Sequence, residues 1–67
     1  MPMIRLAAVR VNADKTQDEW AELMGVAKST VRNWESGKTI PNLQKIRKMS
    51  ELSGIPIDFI FVPEKAD

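Results

Sequence analysis

Only three residues, Gly25-Val26-Ala27, separate two stretches that both have the pattern of a short amphipathic helix. A connection this brief leaves no room for a strand or a long loop, so it forces the two helices to turn sharply and pack on each other. The upstream stretch opens with Thr16-Gln17-Asp18-Glu19, a capping box in which Thr16 and Glu19 satisfy each other's backbone N–H groups. Two acids in its first turn suit the helix dipole. Trp20, Ala21 and Met24 recur at helical spacing and face inward, and Gly25 ends the helix. Ala21 and Gly25 are read as small for the close approach and sharp turn of two helices. The downstream stretch runs from Lys28 to Glu35 with Val31 and Trp34 three apart, which makes Trp34 a core residue rather than a stacking platform.

The rest of the chain extends this unit. Ile4, Ala7, Ala8 and Val11 form an inward stripe on a first helix over Ile4–Asn12, and Asn12-Ala13-Asp14 tolerate a left-handed turn after it. Ser36 to Pro41 is a loop. Asn42 caps a fourth helix that turns Leu43, Ile46, Met49 and Ser50 inward and stops at Gly54. Pro56 begins a short fifth helix to about Phe61, and Pro63 opens a charged tail. The expectation is all-α: one five-helix domain over 1–67, with a core at about 4–61 and a tail at 62–67. Sixty-seven residues lie near the lower limit for an apolar core without crosslinks. The absence of Cys and His removes disulfides, Cys/His zinc sites and all imidazole chemistry. The expectation is therefore no enzyme, no cofactor and no metal. Met1, Met3, Met24 and Met49 read as gap fillers or termini. The start lacks the pattern of a secretory signal and no apolar run reaches the length of a membrane span, which points to the cytoplasm.

The net charge of +1 is unevenly distributed. Residues 1–11 carry +2, 12–25 carry −3 and 49–67 carry −3, whereas 26–48 place Lys28, Arg32, Lys38, Lys45, Arg47 and Lys48 against Glu35 for +5. Charge alone leaves two readings open, a solvated run or a face for phosphates. With Val31 and Trp34 inward, Lys28, Ser29, Arg32 and Asn33 share the outer face of their helix. Arg and Lys suit guanine O6/N7, and Asn suits adenine N6/N7, in a major groove.

Together with the helix-turn-helix spacing, Thr16-Gln17, Ala21, Gly25-Val26, Ser29-Thr30-Val31, Trp34-Glu35, Gly37-Lys38, Pro41, Gly54-Ile55 and Ile57-Asp58 resemble the phage repressor and Cro family of XRE-type DNA-binding domains. The resemblance covers roughly Arg5 to Phe61. It implies five helices round one core, the second across the DNA backbone and the third in the major groove. It implies a phosphate contact from Gln17, base readout by Lys28, Ser29, Arg32 and Asn33, a methyl or phosphate contact from Thr30, and a backbone contact from Lys38, with Ser36 or Asn42 able to do likewise. It further implies an internal ion pair between Arg10 and Glu35. Ala27 departs from the family's usual Ser or Thr cap, Asp14 from Gly, Lys15 from an apolar residue, and Pro56 from Ser.

The expected function is a sequence-specific transcriptional regulator that binds an inverted-repeat double-stranded operator as a homodimer. A chain too short for a second folded domain favours a Cro-like regulator. The alternative is a protein-interaction module, an antitoxin or a modulator that binds a repressor or toxin partner. Ile57, Phe59, Ile60, Phe61 and Val62 carry either the dimer contact or a segment folded back on the monomer's own core.

Overall fold

The computed structural model describes residues 3–62, and the expected tail from Pro63 onward and Met1 lie outside them. Strand β1 (Ile4–Arg5) leads directly into α1 (Leu6–Asn12), followed by α2 (Gln17–Met24), α3 (Lys28–Ser36) and α4 (Leu43–Ser53). A single 3-10 turn (Ile57–Phe59) then delivers strand β2 (Ile60–Phe61), which pairs in parallel with β1, Ile4 against Ile60 and Arg5 against Phe61. Among the described residues, four α-helices and a two-stranded clasp replace the expected five helices.

Both corrections have one cause. The segment after Pro56 is short and rich in β-branched and aromatic residues, and extension lets its backbone groups pair with those of residues 4 and 5. This claims Ile4 and Arg5 as a strand, so α1 begins at Leu6. The inward face of α1 also differs from expectation. Leu6 and Val9 are buried, Ala8 is exposed, and Val11 is 63% exposed. Arg10 is half-buried beside this face, a charge tolerated there because Glu35 pairs with it, and a search for apolar periodicity passes over it.

α2 starts as expected. Thr16 Oγ1 accepts from the Glu19 backbone N–H at 3.2 Å while Glu19 Oε1 accepts from the Thr16 N–H at 2.9 Å. Gly25 ends it in the left-handed region, φ +71°. A Cβ at Gly25 would meet nothing within 4 Å, so the sharp turn, and not close helix approach, requires glycine here. Asp14 likewise takes a left-handed conformation, φ 60°, in the turn after α1.

The core gathers Leu6, Val9, Trp20, Ala21, Met24, Val31, Trp34, Met49, Ile55 and Ile60. Met24 and Met49 are fully packed, whereas Met3 is half exposed. Asn42 caps α4 by accepting from the Lys45 N–H at 3.0 Å, as expected. Leu43, expected inward, is 56% exposed; only Met49 of the four expected residues is fully buried, with Ile46 and Ser50 half-buried. Among the described residues, no helix is long and apolar enough to cross a membrane.

The C-terminal apolar segment folds onto the monomer. Ile60 is buried, Phe59 and Val62 pack against the core, and Phe61 lies under the Arg5 guanidinium, 6.0 Å from its ring centroid. Within Ile57 to Val62, the residues Phe59, Ile60 and Val62 pack on the monomer's own core, and Phe61 alone keeps a large exposed side chain.

Candidate nucleic-acid interface

The orientation of α3 follows from what its inner face buries. Val31 and Trp34 are sunk between α1 and α2, which turns Lys28, Ser29 and Arg32 to the surface. Thr30 and Asn33 are half-buried at the margins of that face. The expected reading face is thus built mainly from Lys28, Ser29 and Arg32, with Asn33 at its edge. Lys38 is exposed just beyond the helix.

The C-terminal end of α3 is fixed by polar contacts. Glu35 accepts from Arg10 Nε at 2.7 Å and from Arg10 Nη2 at 3.4 Å, while Arg10 Nη1 donates to the Lys15 carbonyl at 2.8 Å. This is the ion pair implied by the family resemblance, and both side chains are mostly shielded. Gly37 then turns the chain so that the Lys38 and Thr39 N–H groups donate to the Asn33 carbonyl at 2.9 and 3.2 Å. The N-terminal end has no equivalent. Ala27 has the extended backbone of a capping residue, φ −74° and ψ 153°, but offers no side-chain acceptor.

Gln17 has a role that sequence reasoning did not assign. Its Nε2 donates to Glu35 Oε1 at 3.1 Å, joining the start of α2 to the end of α3 through the same carboxylate that holds α1. The side chain is half-buried, and its amide oxygen and second N–H are not used by that bond. Lys45, counted in the basic block, donates to the Met24 carbonyl at 2.6 Å and so closes the end of α2. Among the described residues, four exposed cations of that block sit outside such a structural bond, Arg32, Lys38, Arg47 and Lys48, with Lys28 paired to Asp18 at 3.4 Å. These contacts were invisible in the sequence because each depends on how non-adjacent helices cross.

The fold perturbs the titration of Glu19. Hydrogen bonds from the Thr16 backbone and side chain, aided by the nearby Lys15 charge and opposed by slight desolvation, hold its carboxyl below the usual glutamate range.

A helix-turn-helix family profile matches residues 6–60. The chain is 30% identical over 61 residues to the HTH-type transcriptional activator BcrR of Enterococcus faecalis, covering 91% of this chain and 30% of that protein. It is 34% identical over 53 residues to the cryptic phage CTXphi transcriptional repressor RstR of Vibrio cholerae, covering 79% of this chain and 48% of that protein. The chain thus spans about a third and about half of these relatives' lengths. No solved structure gives a significant match.

Proposed function

The chain belongs to the helix-turn-helix family, and from this premise we propose that it is a sequence-specific DNA-binding regulator of transcription. The exposed face of α3 carries the reading: Lys28, Ser29 and Arg32 stand clear of a helix whose other face is locked into the core. In this proposal α3 lies in the major groove, with Lys28, Ser29, Arg32 and Asn33 at base edges and Thr30 against a methyl or phosphate. Gln17 and Lys38 contact phosphates on either side and set the register. The Glu35 bond to Gln17 leaves one amide N–H to donate, beside the free backbone N–H groups at the start of α2. Two copies occupy the halves of an inverted repeat about one helical turn apart. The relatives' names, one an activator and one a repressor, support regulation of a promoter and are consistent with either sign. The proposed activity is binding and needs no cofactor or catalytic group.

Selection of bound duplexes from a randomised library tests the reading. A defined inverted-repeat site is the expected result. Arg32→Ala and Asn33→Ala should each change the preferred bases at one position per half-site, at about 1–3 kcal/mol per lost base contact. Lys38→Ala should weaken all sequences alike. If no sequence outcompetes bulk DNA at low salt, the proposal is wrong.

A further inference from the structure

Lys28 differs from its neighbours on the α3 face in already having an anionic partner. Its Nζ lies 3.4 Å from Asp18 Oδ1, across the turn between α2 and α3. Among the described residues, Ser29, Arg32 and Asn33 have no side-chain hydrogen bond or ion pair of this kind. Asp18 is the second residue of α2, next to Gln17, and is 72% exposed. An uncompensated carboxylate at that position would oppose a phosphate approaching the start of α2. A free ammonium at Lys28, on a flexible four-carbon stem, would meet any phosphate regardless of sequence. Paired, each suppresses the other's indiscriminate effect.

We propose that Asp18 is a specificity-determining residue: it tethers Lys28, withdraws that cation from non-specific phosphate contact, and aims it along α3 toward the bases. The inference rests on the reading of α3 as the DNA-facing helix. It assigns to an acidic residue, on the neighbouring helix, control over the gap between specific and arbitrary binding. The physical logic is that sequence-independent affinity grows with each cation free to displace counterions from phosphates, so restraining one cation lowers the background more than the target affinity.

Fluorescence anisotropy with the full chain tests this, using a random-sequence duplex and the site selected from the library over a range of salt. Asp18→Asn should tighten binding to the random duplex by about threefold to tenfold, and steepen its slope of log K against log salt by about 0.9. Binding to the selected site should change by less than about twofold, narrowing the gap between the two. In a Lys28→Met background the same substitution should relieve only the carboxylate's own repulsion, tightening both duplexes alike with no steepening of the random-duplex slope and no narrowing of the gap, because the tethered cation is gone. Asp18→Ser, with helicity checked by circular dichroism, guards against an effect peculiar to Asn. Equal effects of Asp18→Asn with and without Lys28 would make Asp18 a bulk charge and overturn the proposal. So would an unchanged random-duplex slope. Arg32→Ala separates the two levels. If it alters the base preference while Asp18→Asn is inert, the inference alone fails; if the preference survives Arg32→Ala intact, the reading of α3 fails and the inference falls with it.

Discussion

The two ends of α3 are built on opposite plans. At its C-terminal end Trp34 is buried, Glu35 receives hydrogen bonds from two other helices' residues, and Gly37 folds the chain back onto the Asn33 carbonyl. At its N-terminal end Ala27 leaves the helix without a side-chain cap, and the nearest polar contact is the exposed pair of Lys28 with Asp18. One end is held by packing and shielded charge, the other by little beyond the backbone. A helix that must present side chains to a ligand needs a fixed axis more than a fixed tip. The anchored end supplies the axis, and the bare end leaves Ser29 free to adjust, with Lys28 held only through Asp18.

The contrast can be broken most severely at its buried point. Trp34→Ala should remove about 3–5 kcal/mol, enough to unfold much of a domain this small, as urea titration would show. A loss under 1 kcal/mol would mean that Trp34 does not fix the axis. Next in size, Glu35→Ala leaves the Arg10 guanidinium shielded with only the Lys15 carbonyl as partner, and should cost roughly 3 kcal/mol. The double replacement Arg10→Met with Glu35→Leu should recover most of that loss, since a matched apolar pair avoids the desolvation penalty. Failure to recover would assign the pair a role beyond mutual neutralisation, through Gln17.

At the bare end the expected change has the opposite sign. Ala27→Ser should supply the missing cap and stabilise by about 1 kcal/mol, read as a rise in the thermal midpoint. An unmoved midpoint would show that the end is already satisfied in another way. The smallest effect concerns the start of α2. Because folding favours the ionised form of Glu19, the capping box contributes fully at neutral pH, and its contribution is lost as pH falls through the lowered Glu19 pKa. Glu19→Gln should flatten the acid side of the stability profile, and a profile of unchanged slope would contradict this.

Much of this architecture was legible in the residues. The capping box, the glycine after α2, the inward Val31 and Trp34 and the Asn42 cap are local signals, decided by neighbours within one turn of helix. The Arg10–Glu35 pair was legible only through family resemblance, since nothing local joins residues twenty-five positions apart. What escaped was non-local. The clasp of Ile4–Arg5 with Ile60–Phe61 looks like helix at both of its ends until the two are brought together. The bond from Gln17 to Glu35, the capture of the Met24 carbonyl by Lys45 and the tether on Lys28 each arise from helix crossings. For the same reason charge counting overstated the basic face, because it treated every cation as available.

The parallel clasp also dictates an order of events in folding. The turn between α2 and α3 can form from the consecutive residues 17–36, but the clasp joins positions at opposite ends of the described chain and must wait until everything between them has compacted. Ile60→Val should therefore accelerate unfolding and leave the refolding rate nearly untouched in stopped-flow experiments, whereas an equal slowing of refolding would place the clasp in the nucleus. The two short strands act as a latch that closes last and opens first, setting how long the molecule stays folded more than how quickly it gets there.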